Sequence, residues 1–419
     1  MASFKMTRAE KKWVMYDIGN SAFVLLNTAI VPIYLNALLE MAGKENLVVS
    51  WGYAQTIASL VVAILMPILG SLADYRGKKV KFFTGFMFTG LLCCFALSLP
   101  LSWFAFLAIY VFATIGLNSS MCFYDAMLPD ITTDDRMDNV SSAGYAWGYI
   151  GSCIPFIACI VLIFVGPSFL PIDTLQATRM TFIITGLWWL FFTIPLLRSY
   201  EQKFYKEQEP GAIANTFKNL WATCKKIASN KPLFIFMVAF FFYIDGVHTV
   251  ISMATSYGAD LGIDSTQLVL ALLVTQFVAF PSAIIYGRLA GKHGTLRMIM
   301  IAVLAYVCCV MFAAFFLRSA VEFWILAVIV GMFQGGVQAL SRSYFGTLIP
   351  KDHATEYYGF FDIFGRYASV CGTLLVSIVT QLSGNSSLGV LSIGILLVIG
   401  FVMLVKLSNI QKVTQLNEE

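Results

Sequence analysis

Apolar runs of about twenty residues recur along the chain, separated by short polar stretches. Twelve candidates stand at 14–39, 48–73, 82–100, 103–128, 140–165, 180–197, 233–257, 266–290, 298–317, 323–345, 356–382 and 387–405. A helix that crosses a bilayer needs about 20 mainly apolar residues. Two uncharged stretches are too long for one crossing. Residues 82–124 must turn near Pro100-Leu101-Ser102, and the stretch from Tyr367 to Val405 near Ser383-Gly384-Asn385-Ser386. The segments lack the period-two alternation of barrel strands. Backbone in hydrocarbon must satisfy its own hydrogen bonds, so the predicted class is an all-α polytopic membrane protein with twelve transmembrane helices.

Composition agrees. Of 419 residues, 59% are apolar or aromatic and 12% are charged, against about 25% charged in soluble domains. The shortage runs along the whole chain, which excludes a soluble globule and a soluble domain with one anchor. A net charge of +4 does not suggest a nucleic-acid partner. The nine cysteines sit mostly in apolar runs, and with His248, His293 and His353 they form no zinc spacing. No metal or other cofactor is expected. No P-loop, His-Glu-x-x-His or Gly-x-Ser-x-Gly pattern appears, so ATP-driven transport and the common hydrolases are unsupported.

Lys and Arg set the orientation. With the N-terminus inside, the tail (Lys5, Arg8, Lys11, Lys12), the loop with Arg76, Lys78, Lys79 and Lys81, the seven cations of 198–231, the loop with Arg288, Lys292 and Arg297, and Lys406 and Lys412 are cytoplasmic; Lys44, Arg179 and Arg318 fall outside. That alternation predicts both termini inside. The long polar stretch divides the chain into an N-terminal six-helix bundle (1–197), a linker (198–231) with a short amphipathic helix around Ile213–Ile227, and a C-terminal six-helix bundle (232–419). An internal repeat supports the division. Gly70-Ser-Leu-Ala-Asp74-Tyr-Arg76-Gly77-Lys78-Lys79 follows span two, and Gly287-Arg-Leu-Ala-Gly291-Lys-His-Gly294 follows span eight.

Two pseudo-symmetric six-helix halves joined to this loop motif resemble the major facilitator superfamily. Finer matches resemble its UMF1, or Atg22-like vacuole effluxer, branch: Tyr16-Asp17-Ile-Gly-Asn20-Ser21-Ala22-Phe23, Gly144-Tyr-Ala-Trp-Gly-Tyr-Ile-Gly151, Tyr243-Ile-Asp245-Gly246 and Gln334-Gly-Gly-Val-Gln338-Ala-Leu-Ser-Arg342. Ile18-Gly19 stands where the branch has Trp-Ala. The resemblance implies that Asp74 caps a neighbouring helix and pairs with an arginine, locking the inner side while the outer side is open. Gly77 would permit the tight turn, and Arg76 belongs to the same gating loop. Gly291 replaces the aspartate in the second copy, so a second latch there should be weaker.

Ionisable groups in the spans are the candidate site, because each costs at least about 2.5 kcal/mol in mid-membrane. Asp245 lies 14 residues beyond Lys231, about 20 Å along a helix. It could bind a proton, a cation or a substrate amine, or be half of a structural ion pair. His248, three residues on, could share its proton or simply pack. Arg366, deep in span eleven, suits a substrate carboxylate, with Asp362 one turn earlier; an internal ion pair is the plainer alternative. Asn27, Gln334 and Gln338 would supply polarity at lower cost, or only hold neighbouring helices. Asp17, Asp125 and Arg342, near inner helix ends, could form a charge latch across the halves, or local caps.

The leading expectation is a secondary active transporter working by alternating access, coupled to protons, with an amino acid or similar polar metabolite as cargo. A lipid-like amphiphile is the second choice of cargo; an intramembrane enzyme and a non-transporting receptor are rivals of other classes. The expected partners are a small solute, protons and the lipid bilayer, with the chain a monomer in a bacterial plasma (inner) membrane.

Overall fold

The computed structural model describes residues 4–44, 47–207 and 216–418. Among the described residues there is no β-strand, only one isolated bridge between Tyr75 and Lys206. The helices in chain order are α1 (Arg8–Ala29), α2 (Val31–Met41), α3 (Leu47–Ala73), α4 (Lys78–Ala96), α5 (Trp103–Ala126), the short α6 (Leu128–Ile131), α7 (Asp134–Phe164), the short α8 (Gly166–Phe169), α9 (Thr174–Leu197), α10 (Thr216–Ser229), α11 (Lys231–Asp260), α12 (Ser265–His293), α13 (Thr295–Phe316), α14 (Ala320–Leu348), α15 (Ala354–Ser383) and α16 (Ser386–Glu418).

Ten of these are long and apolar enough, among the described residues, to cross a membrane. The α1–α2 pair, bent by 42°, makes an eleventh crossing. The sequence pattern predicts one continuous span there. Pro32 lacks the N–H that would bond back one turn, so the helix breaks at Ile30. The twelfth is α15, whose apolar part is the short stretch Cys371–Ser383 because its first half carries Glu356, Asp362 and Arg366. Large apolar side chains such as Ile33, Phe104, Phe112, Phe191 and Leu382 are exposed, as they should be when lipid is the solvent and helix–helix packing needs no hydrophobic drive.

Local chemistry sets the helix ends. Thr7 and Glu10 form a reciprocal capping box at the start of α1, as Asp173 and Gln176 do at α9. Ser102 accepts from the Ala105 amide and starts α5, making the turn expected at Pro100-Leu101-Ser102. Gly384, with φ +66°, lies in the turn between α15 and α16. The amphipathic linker helix runs Thr216–Ser229; residues 213–215 lie outside the described residues.

The chain forms two compact units. Unit 1 is Met1–Ile131, Trp147–Thr216 and Lys351–Gly359, and unit 2 is Thr132–Ala146, Phe217–Pro350 and Phe360–Glu419. The division therefore passes through α7 and α15. In unit 1, Trp13 stacks on Tyr124 at 4.3 Å, and α4 crosses α5 where Gly90 meets Gly116, with no room for a Cβ on either. In unit 2, the rings of Phe240, Phe361 and Phe345 stack in series at 4.0 and 4.3 Å, and Gly331 lets α14 approach the Thr275 carbonyl of α12.

Candidate substrate and gating sites

In unit 2, α11 buries Asp245 completely. Its Oδ1 accepts the Thr249 hydroxyl, one turn on, at 3.3 Å and the Gly372 amide of α15 at 2.8 Å. Its Oδ2 has no hydrogen-bond partner among the described residues. A Cβ on Gly372 would collide with both the Asp245 carboxylate and the Thr249 hydroxyl, so only glycine lets the acid rest on the α15 backbone. A carboxylate at this depth held by two neutral donors leaves one oxygen ready for a proton or a cationic group.

The other predicted residues of this group are placed unevenly. His248 is half-buried in the next turn of α11, and Asp362 is half-buried in the first half of α15. The Arg366 side chain lies outside the described residues. On α14, Gln338 is half-buried and Gln334 is 6% exposed, its Oε1 without a partner among the described residues. Gln334 lines a partly open, largely apolar space in unit 2. Among the described residues no cluster of three His, Cys, Asp or Glu side chains could hold a metal ion.

Unit 1 contains a polar chain that the sequence reading reached only at one end. Tyr110 donates to Asn27 Oδ1 at 2.5 Å and accepts from Gln55 Nε2 at 2.7 Å, linking α1, α5 and α3. Asp17 is buried and accepts the Tyr124 hydroxyl at 2.8 Å, while Asp125 is half-buried beside it in sequence. Arg342 belongs to unit 2, where Nε donates to Ser141 Oγ and Nη2 to the Ser141 carbonyl, each at 2.9 Å, with the guanidinium 4.4 Å from the Tyr145 ring centre.

The Gly70–Lys81 loop carries a dense set of polar contacts in unit 1. Asp74 is fully buried, and its two oxygens accept the amides of Thr355 (2.8 Å) and Glu356 (3.0 Å) in the first turn of α15. Helix N-termini present unpaired N–H groups and partial positive charge, so a carboxylate caps them well. Burial nonetheless holds the Asp74 carboxyl above the usual carboxylate range, opposed by Lys79, Lys206 and its hydrogen bonds. Gly77 takes φ +68° and starts α4, as the turn requires. Arg76 is exposed and lies over the Tyr205 ring at 5.2 Å.

Lys79 and Asp130 form an ion pair at 2.8 Å with both side chains fully buried. Asp130 Oδ2 also accepts the Tyr200 hydroxyl (2.6 Å), and Oδ1 accepts the amides of Lys203 (3.0 Å) and Phe204 (2.9 Å). Burial and the adjacent Asp130 charge keep the Tyr200 phenol protonated, well above its usual range. One carboxylate thus ties the start of the linker to the ends of α4 and α5. Lys206 then pairs with Glu356 at 3.1 Å. The sequence reading treats Lys79 only as a topology cation and Asp130 as part of an acidic turn; the Pro-Asp step that closes α5 was the available signal.

Each copy of the repeat packs the same way within its own unit. A Cβ on Gly70 would stand 2.6 Å from the Thr355 carbonyl at the foot of α15, and one on Gly287 would stand 2.7 Å from Ser142 at the foot of α7. In the second copy no atom of the described residues lies within 4 Å of a Cβ placed on Gly291, and the foot of α7 is held by its own Asp138, which accepts the hydroxyls of Ser343 and Thr295 at 2.5 Å each.

These crossings, caps and paired repeat loops make up the major facilitator fold, and known structures agree. The human organic anion transporter MFSD10 (TETRAN) superposes with a TM-score of 0.71 over 95% of this chain and 99% of that one, at 15% identity. Within the superfamily, the model of the family described as vacuole effluxer Atg22 like matches residues 50–416, and the chain belongs to that family. It is 42% identical over 406 residues, 96% of this chain and 95% of the relative, to YxiO, an uncharacterized MFS-type transporter of Bacillus subtilis (strain 168). It is 24% identical over 276 residues, 61% of this chain and 55% of the relative, to autophagy-related protein 22 of Kluyveromyces lactis. The protein is an integral membrane transporter, as YxiO and MFSD10 are described to be.

Proposed function

We propose that the chain is a secondary active transporter that moves a small polar solute, an amino acid or a similar metabolite, by alternating access coupled to protons. The observation that carries this reading is the Asp245 carboxylate, wholly buried in mid-helix with one oxygen unpartnered among the described residues. An acid kept there at a cost, and held among the described residues by two neutral donors, suits a group that gains and loses a proton or meets a substrate ammonium. Asp362, His248 and Arg366 add ionisable groups on α11 and α15, with Arg366 as the clamp for a substrate carboxylate. Asn27 and Gln338 contribute polarity.

Gating is assigned to the polar loop ends. The Asp74 cap on α15 is one latch that opens during the cycle, with Arg76 and Gly77 shaping its loop; Asp17, Asp125 and Arg342 form a second set. The N-terminal (1–197) and C-terminal (232–419) bundles are the moving bodies, the protein acts as a monomer, and it sits in a bacterial plasma membrane with both termini inside.

Uptake of radiolabelled amino acids into sealed proteoliposomes, with and without an imposed pH gradient, tests this reading. Flux in the wild type should rise when the gradient is applied. Asp245→Asn should retain its monodisperse profile in detergent and lose the response to the gradient. A gradient response that survives in Asp245→Asn rules out Asp245 as the proton carrier.

A further inference from the structure

Unit 2 contains a partly open cavity of about 80 Å³ bounded by α11, α12, α13, α14 and α16. Its walls are mostly apolar, with Ala271, Val310, Ala313, Leu326, Val330 and Ile393 among them. Among the described residues no carboxylate, histidine, lysine or arginine lines it; the wall carries the thiol of Cys309 and the phenol of Tyr257, the latter engaged with the Ala313 carbonyl and the Ser387 hydroxyl. The other hydroxyls on the wall are also engaged. Thr275 donates to the carbonyls of Ala271 and Ala327, and Thr249 donates to Asp245. Gln276 adds a half-buried amide at one edge. Gln334 differs from all of these: the residue is only 6% exposed, it lines the cavity, and its Oε1 has no donor among the described residues.

A buried acceptor without a donor is a standing cost, relieved by any molecule that brings one. Water is a poor candidate, because a buried water needs two to four polar partners and these walls leave it few. A charged ligand is worse, since no counter-charge lines the space. A mainly apolar molecule with a single O–H answers both features. An engineered apolar cavity of roughly 150 Å³ holds benzene, so this one takes a ring or short branched chain with modest adjustment and excludes a long acyl tail.

We propose that this cavity is a binding site for small uncharged alcohols or phenols, whose hydroxyl donates to Gln334 Oε1 while the hydrocarbon part fills the space between α12, α13 and α14. The site is separate from the carboxylate proposed to carry protons and needs no transport for its detection. Thr249 belongs to both, so an occupant sits one side chain away from Asp245.

The test is a fluorine NMR titration of the purified full chain in detergent with 4-fluorophenol and, as the partner lacking a donor, fluorobenzene, against empty micelles. Saturable binding of 4-fluorophenol is expected, tighter than fluorobenzene by about five- to tenfold, the worth of one net hydrogen bond. Gln334→Leu, similar in volume, should bring 4-fluorophenol down to the fluorobenzene level and leave fluorobenzene unchanged. Ala313→Phe should abolish saturable binding of both; if that variant is not monodisperse, Ala271→Leu serves, with a weakening of both probes expected. Equal affinity for the two probes, undiminished 4-fluorophenol binding in Gln334→Leu, binding that survives the filled cavity, or partition into micelles alone would each overturn the proposal.

Discussion

Lys79→Met tests the anchoring role of Asp130 most directly. In the wild type Asp130 receives four donors: the Lys79 ammonium, the Tyr200 hydroxyl and two linker amides. Methionine keeps the volume of the lysine stem and removes the charge, leaving a carboxylate with 0% side-chain exposure and no cation against it. Breaking a buried pair in this way costs about 3–5 kcal/mol, because the remaining charge is uncompensated. At roughly 2–4 °C per kcal/mol for a body of about 200 residues, the apparent melting temperature should fall by roughly 6–20 °C. The double variant Lys79→Met/Asp130→Asn separates this from ordinary packing loss. Asparagine Oδ1 can still accept the Lys203 and Phe204 amides, and its NH₂ can donate to the Tyr200 oxygen, so no charge is stranded. The double variant should recover at least about 2 kcal/mol relative to Lys79→Met alone, well outside the ~0.5 kcal/mol expected for independent sites. Thermal unfolding of both singles and the double, followed by tryptophan fluorescence at one scan rate in one detergent, gives the coupling. Additive losses would refute the reasoning.

Asp74→Ala strips the acceptors from two buried amides in the first turn of α15 and should cost about 1–3 kcal/mol, read as a lower melting temperature. Because burial raises the Asp74 carboxyl above its ordinary range, the folded protein holds that proton to higher pH than the unfolded chain. From the ordinary aspartate range up through the raised value, its contribution to stability should therefore decline as pH rises; Asp74→Asn should lack this slope in melting temperatures scanned against pH, and parallel slopes would contradict it. Gly372→Ala drives a methyl into the Asp245 carboxylate and the Thr249 hydroxyl, and should reduce flux in proteoliposomes at least as much as Asp245→Asn. Gly116→Val forces a branched side chain into the Gly90 backbone; overpacking of this kind costs about 1–3 kcal/mol or more, visible as poor recovery of monodisperse protein.

Much of the Gly70–Lys81 loop was legible because it is built on motifs with a local cause. Asp74 and Gly77 stand where the turn and the cap need them, and the Gly70/Gly287 repeat packs alike in both units. Asp245 was legible from cost alone, since a carboxylate fourteen residues into an apolar run invites explanation. Its partner Gly372 was not, nor were Gln55, Tyr110 and Tyr200, because each matters only through a residue far away in the chain. The break in the first span could have been read from Pro32, which the apolar count ignores.

Membrane class, helix type, the number of crossings and the repeat were determined by the sequence itself. Each depends on residues within one helix length: apolar stretch, capping side chains such as Thr7 and Ser102, and glycines at the turns. Only tertiary structure decided that Asp74 caps a helix 281 residues away, that Asp130 meets Lys79 across 51, that Asp245 rests on an amide 127 residues on, and that Gln334 lines a cavity. The reason is geometric. Which polar group meets which, and which is left alone, depends on where helices cross, and crossings are chosen by the fit of small and large side chains over whole faces.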